Sequence, residues 1–215
     1  MARQIMVLGT GRFGSAIARE LERIGNEVLA MDRDPRAVEA IADHVTHALT
    51  ADVTDQEILK GFGPADFDAA VVAIGTDERS SIMATLILKR LGVGLVLSKA
   101  QNELHGEILA MVGADRVVYP ERETGTRVAH SLLMPLVVSD YFDVGPGYGL
   151  AKLRAAKMAG KTLEELDLRS SYGVTPLFLR RRDKVLMNPH REERLEEGDE
   201  LTVAGRDDQL ERLEL

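Results

Sequence analysis

The amino-acid sequence predicts an α/β chain: a doubly wound, Rossmann-like parallel sheet followed by a small C-terminal α+β domain. Three observations carry this. Short, wholly apolar runs alternate with amphipathic helical stretches through most of the first 140 residues. The first such run ends in the glycine loop Gly9-Thr10-Gly11-Arg12-Phe13-Gly14. Gly145-Pro146-Gly147 breaks the rhythm, which does not return. Strands that are apolar on both faces belong to parallel sheets covered by helices on either side.

Ile5-Met6-Val7-Leu8 reads as the first strand, and Ala16, Ile17, Leu21 and Ile24 recur at helical spacing behind the loop. Gly25-Asn26 closes that helix, and residues 27–32 form a second strand ending on Asp32. The alternation continues as helix 35–43, strand 45–50, short helix 55–60, strand 68–74, helix 79–91, strand 94–98, helix 103–112 and strand 116–118. A last helix, 123–140, carries Val128, Leu132, Leu133, Leu136 and Val137 on one face, with Pro135 predicted to kink it. That face either packs on its own sheet or forms a dimer. The expected division is a nucleotide-binding domain over 1–140, a linker over 141–147 and a second domain over 148–215. The second domain reads as strand 148–155, short helix 163–166, strand 174–180, turn 181–183, strands 184–187 and 200–204, and helix 207–213.

Composition narrows the function classes. A formal net charge of −8 argues against a sequence-independent nucleic-acid binder, which needs basic side chains to neutralise phosphates. The chain has no cysteine, which removes disulfides, thiolate metal sites and thiol nucleophiles together. It enters an apolar strand directly after Met-Ala-Arg, with no signal-peptide pattern. The apolar runs 69–75 and 132–138 fall far short of the ~20 residues that span a bilayer. The expectation is no direct membrane insertion, so that any work at a membrane goes through a partner.

The glycine loop comes after a strand, opens a helix, and precedes a carboxylate at the end of the next strand. In such a loop the first glycine, Gly9, permits the tight turn, Gly11 lets phosphates approach the backbone, and Gly14 allows close helix–strand packing. The helix N-terminus adds free N–H groups and partial positive charge. Asp32 can accept both ribose hydroxyls of an adenosine moiety and would repel a 2′-phosphate, although Arg33 beside it could pair with one. Ligands of open α/β sheets bind beyond the carboxyl ends of the strands. Asp52 and Val53 therefore mark the adenine position, and Ala73, Ile74 and Gly75 lie beside the ribose and phosphates. Arg12, inside the phosphate turn, can reach charge beyond an α-phosphate, which favours ATP or ADP over NAD or NADH.

Other motifs carry less. Tyr148-x-x-x-Lys152 matches a short-chain dehydrogenase pair but sits beside glycines in strand context, and Gly160-Lys161-Thr162 lacks the first glycine and the leading strand of a phosphate-binding P-loop. The five histidines, His44, His47, His105, His130 and His190, show no ligand spacing and read as surface or boundary residues. Arg180-Arg181-Arg182 reads as a solvated hairpin turn. No acid/base constellation for an oxidoreductase stands out, so the chain is expected not to be an enzyme.

The string Gly-x-Gly-Arg-Phe-Gly, together with Asp32, Val72-Ala73-Ile74-Gly75, Lys99-Ala100-Gln101-Asn102, Gly113-Ala114-Asp115-Arg116 and Tyr119-Pro120-Glu121, resembles the RCK/KTN regulatory subunits of potassium transporters, of the KtrA type and related to TrkA. Asp167-Leu168-Arg169, Tyr172-Gly173 and Glu197-Gly198-Asp199 resemble the C-terminal RCK domain of the same proteins. The resemblance implies a cytoplasmic homo-dimer that assembles into an octameric gating ring. The ring docks under a membrane-embedded, KtrB/TrkH-like potassium-translocating subunit and is switched by ATP versus ADP. It also implies that Arg12 and Lys99 contact phosphates, that Asp32 holds the ribose, and that Glu121 joins Mg²⁺ next to the ATP phosphates. Thr10, where such loops often carry leucine, would contribute backbone alone. TrkA-type relatives prefer NAD(H), and some relatives bind cyclic di-AMP between two C-terminal domains at positions resembling Leu168, Arg169 and Pro189.

Overall fold

A computed structural model describes residues 2–213, which divide into two compact units between Glu121 and Arg122. In the first unit six parallel strands form one sheet: β1 (Gln4–Leu8), β2 (Glu27–Asp32), β3 (His47–Thr50), β4 (Ala69–Val72), β5 (Val96–Lys99) and β6 (Arg116–Val118). Their order is β3-β2-β1-β4-β5-β6, so the winding reverses between β1 and β4 and opens a crevice at their carboxyl ends. The connecting helices are α1 (Arg12–Arg23), α2 (Pro35–Ala42), α3 (Gln56–Lys60), α4 (Glu78–Arg90) and α5 (Glu103–Met111).

Both faces of the sheet are covered because side chains alternate along each strand. Ile5, Val7, Val28, Ala30 and Val71 pack with Ala18 of α1 and Ile41 of α2. Met6, Leu8, Leu29, Met31, Ala70 and Val72 pack with Leu59 of α3 and Ala84, Ile87 and Leu88 of α4. Four helices start on side-chain caps at Asp34, Asp55, Asp77 and Asn102, each accepting a main-chain N–H of the first turn. These caps also end the crevice loops, fixing where each loop gives way to helix.

The region after β6 differs from expectation. Helix α6 (Pro120–Leu133) starts earlier than predicted, and Pro135 ends it rather than kinks it, since proline has no N–H to continue the helical ladder. Residues Val138–Gly145 form a strand, β7, that pairs with β8 (Tyr148–Arg154) through Gly145 opposite Tyr148. The stretch 141–147 is therefore strand and hairpin turn, not a linker. Val128, Leu132, Leu133 and Leu136 are exposed, Leu136 at 97%, so this apolar face is left unburied. Of the five apolar residues expected on that face, Val137 alone joins the second core.

The second unit is an antiparallel five-stranded sheet in the order β10-β9-β11-β8-β7, with β9 (Thr175–Arg181), β10 (Lys184–Met187) and β11 (Glu200–Arg206). Tyr141, Leu153, Leu179, Leu201 and Val203 of the strands pack with Leu163 and Leu166 of α7 (Leu163–Leu166), Leu168 of α8 (Leu168–Tyr172) and Leu210 of α9 (Asp207–Leu210). The sequence pattern does not predict the short helix α8. The triple arginine is not a solvated turn either: Arg180 pairs with Glu200, and Arg181 meets Asp199, Glu193 and Glu196. Arg182, at φ 53°, makes the turn.

Candidate functional site

The glycine loop joins β1 to α1 at the crevice. Gly9 takes φ 94° and donates its N–H to Met31 O at 2.7 Å, and a Cβ there would stand 3.1 Å from the Ala73 carbonyl carbon and from Ile74 N. A Cβ on Gly14 would overlap the Gly9 carbonyl oxygen, which is why the first turn of α1 can lie so close to the strand. Gly11 caps α1 in extended backbone, with no side-chain cap and nothing within 4 Å of where a Cβ would be. The first N–H groups of α1 are thus left for a ligand, beside open space that a phosphate can enter.

Asp32 lies at the end of β2 and is held by the loop itself. Its Oδ2 accepts the Thr10 N–H at 2.6 Å and the Thr10 hydroxyl at 3.2 Å, while Oδ1 accepts the Asp34 N–H at 2.9 Å. A carboxylate has roughly four lone-pair positions, so capacity for ribose hydroxyls remains. Thr10 is buried and contributes its hydroxyl as well as its backbone, against the expectation of backbone alone.

Arg33 lies among acids. Its guanidinium is 3.8 Å from Asp77, and its charge also helps to lower the Asp52 carboxyl, which is held down chiefly by the Thr54 hydroxyl and N–H. Two neighbouring carboxylates offset the one cation that could have favoured a 2′-phosphate. The Asp52 carboxylate is exposed, whereas the Val53 side chain belongs to the core beneath the loop. Ala73 is buried, with Ile74 and Gly75 half-buried beyond β4.

Lys99 ends β5 and is only 8% exposed. Its ammonium donates to Glu121 Oε1 at 2.6 Å, stands 5.7 Å from the centre of the Phe13 ring, and lies 3.0 Å from where a Cβ on Gly75 would be. Glu121, 73% exposed on the first turn of α6, has its carboxyl lowered by the Lys99 hydrogen bond first, with Arg12 adding a weaker electrostatic pull. Arg12 itself is exposed on the first turn of α1. The glycine loop, the loop after β4, β5 and the start of α6 thus bring Arg12, Phe13, Gly75, Lys99 and Glu121 together. No group of three or more His, Asp and Glu side chains that could hold a metal ion occurs among the described residues. A divalent cation at Glu121 would need most of its oxygen ligands from phosphates and water, as is usual for Mg²⁺.

The remaining candidates lie on other elements. Tyr148 and Lys152 lie on β8, and Thr162 caps α7 in a reciprocal pair with Glu165. Leu168 is 2% exposed in the second core, so its side chain serves packing, while Arg169 is exposed and Pro189 half-buried. His105 is 1% exposed, against the expectation of a surface or boundary residue, and His130 stacks on Tyr141 with ring centres 4.9 Å apart. A cleft of about 380 Å³ at the amino ends of β1 and β2, lined by Gln4, Glu27, Thr46, His47, Phe62 and Phe67 among others, contains none of the nucleotide-site residues.

Residues 5–120 match the TrkA-N domain and residues 154–215 the TrkA-C domain. The chain is 38% identical over 215 residues to the Ktr system potassium uptake protein C of Bacillus subtilis (strain 168), covering 100% of this chain and 97% of that protein. The chain belongs to the KtrA/KtrC family. It is also 36% identical to the Ktr system potassium uptake protein A of the same organism, over 99% of this chain and 96% of that one. Among solved structures it is similar to the GsuK RCK domain, at a TM-score of 0.67 and 19% identity, covering 100% of this chain and 47% of that chain. It is similar too to the GsuK channel bound to NAD, at a TM-score of 0.63 and 19% identity, covering 98% of this chain and 38% of that chain. At these identities the likeness is one of fold. In this Ktr-family chain the TrkA-N match spans the site from Gly9 to Lys99 and stops one residue before Glu121. No helix among the described residues is long and apolar enough to cross a membrane.

Proposed function

We propose that this chain is the cytoplasmic, nucleotide-sensing regulatory subunit of a potassium uptake system. It gates a membrane-embedded, KtrB/TrkH-like subunit according to whether ATP or ADP is bound, and it carries no chemistry of its own. One observation carries the reading: Lys99 and Glu121 form a closed pair beside Arg12, where the phosphates of a nucleotide held by Asp32 and the glycine loop would arrive. With ADP, Lys99 keeps Glu121. With ATP, Lys99 and Arg12 would turn to the outer phosphates and Glu121, freed from Lys99, would be the carboxylate available to Mg²⁺. A ligand shifts a conformational equilibrium only by its differential affinity for the two states, and this exchange of partners supplies such a difference.

The test is a competition titration of ATP against ADP on the full chain. Arg12→Ala should narrow the affinity gap between the two, and Glu121→Gln should remove its dependence on Mg²⁺. An unchanged gap in Arg12→Ala overturns the reading. Asp32 would serve the adenosine ribose of NAD or NADH equally well, so the same titration with those ligands separates an NAD(H)-responsive regulator from an ATP/ADP sensor. Turnover of simple alcohols or hydroxy acids with NAD would instead make the chain an oxidoreductase. Cyclic di-AMP at the second unit rests on Arg169 and Pro189 alone, and calorimetry on the full chain tests it.

A further inference from the structure

The first turn of α5 contacts the two segments that carry Lys99 and Glu121. Asn102 caps the helix by accepting the His105 N–H at 2.9 Å and reaches Glu78 of α4 with its amide at 2.9 Å. His105 then turns back. Its Nδ1 accepts the Gln101 N–H at 3.3 Å, two residues beyond Lys99. That bond places the imidazole proton on Nε2, which is buried and meets no hydrogen-bond partner among the described residues. Burial lowers the His105 pKa, against a smaller opposing pull from Glu78, so the ring is kept as a neutral acceptor. The next residue, Gly106, seats Tyr119. A Cβ at position 106 would overlap the Tyr119 hydroxyl and stand 2.7 Å from its Cζ. Tyr119 is two residues before Glu121, just as Gln101 is two residues after Lys99.

We propose that His105 and Gly106, with Tyr119, are positioning residues for the Lys99–Glu121 pair, and that they set how well the site discriminates a nucleoside triphosphate from a diphosphate. The inference rests on the nucleotide-sensing reading above. Only a hydrogen fits between the Gly106 Cα and the tyrosine, so Gly106→Ala must displace the Tyr119 ring, which stands directly before the start of α6. His105→Leu removes the acceptor that restrains the Lys99 segment, whereas His105→Asn returns an amide oxygen near the Nδ1 position.

The experiment is calorimetric titration of the full chain and these variants with ADP and with Mg²⁺–ATP, alongside thermal melts. Gly106→Ala and His105→Leu should each change the ATP/ADP affinity ratio by about fivefold or more, with ADP affinity itself little changed, and His105→Asn should restore the ratio. Should Gly106→Ala not fold, Tyr119→Leu empties the same seat without adding an atom there. If the ratio stays constant across folded variants while the unsubstituted chain binds both nucleotides, the proposal falls and the nucleotide reading stands. If Leu and Asn at position 105 act alike, His105 only packs and its part of the proposal falls. If the unsubstituted chain binds neither nucleotide, both readings fall together.

Discussion

In the proposed site Asp32 serves fold and ligand together. Its two oxygens already take three hydrogen bonds from Thr10 and Asp34, so Asp32→Ala should loosen the glycine loop and remove the ribose acceptor at once. Nucleotide affinity is expected to fall about tenfold or more, read by titration, with a lower melting temperature in the absence of nucleotide. His105 gives a pH dependence with a definite sign. Its pKa is lowered in the folded chain by burial, so the unfolded chain binds the proton more readily. Its contribution is complete above the ordinary value of 6.5 and declines as pH falls below that, until the folded imidazole titrates. Between about pH 7.5 and pH 5 the melting temperature of the unsubstituted chain should fall by more than that of His105→Asn. The loop glycines and Asp32 were legible from residue type and spacing. The Thr10 hydroxyl and the buried His105 were not, because both depend on which way a side chain faces once α1 and α5 are laid against the sheet.

Elements were most legible where local chemistry and packing agree. The strand ending on Asp32 follows its apolar run, and the structure adds caps at Asp34, Asp55, Asp77 and Asn102 to helices read from apolar spacing alone. Close packing of α1 on β1 depends on Gly14. Gly14→Ala would press a methyl into the Gly9 carbonyl and should cost about 2 kcal/mol or more, measured by denaturant unfolding. The misread element is the segment after Leu133. Its apolar residues suit a helix face as well as a strand, and Pro135 marks a break without specifying the conformation of residues 136–145. In the second unit, Asp199 is buried and accepts the Arg181 guanidinium and the Glu196 N–H. Burial alone would raise its pKa, but these partners outweigh it and keep the carboxyl low. Stability from Asp199 is therefore present above its ordinary value of 3.8 and lost as pH falls through the lowered one. Asp199→Ala takes from the half-buried Arg181 its most buried carboxylate partner, leaving Glu193 and Glu196, and frees the Glu196 N–H; it should cost about 1–2 kcal/mol, detectable in the same unfolding assay.

For the whole molecule, the exposed apolar residues of α6 and of the turn after it are the feature that a single chain leaves unexplained. Leu132, Leu133 and Leu136 are all more than half exposed, and exposed apolar surface of this kind marks association. In the octameric ring that the resemblance implies, Leu132→Glu combined with Leu136→Glu should leave the fold intact, since both side chains already face solvent, and should reduce the mass measured by light scattering. An unchanged mass would place the subunit contact elsewhere.

By itself the sequence determined the parallel six-stranded sheet, the glycine loop at its crevice and the carboxylate that ends the second strand, because each arises from local pattern: apolar runs, glycines at fixed spacing, and a charged residue at a strand end. Resemblance added Lys99 as an expected partner of the phosphates and Glu121 as an expected partner of Mg²⁺ beside them. Only the tertiary structure decided that Lys99 and Glu121 are partners of one another, that α5 braces both their segments, and that residues 138–145 belong to a strand. Those outcomes depend on contacts between segments far apart in the chain, where burial, excluded volume and hydrogen-bond geometry choose among conformations that local pattern leaves equal.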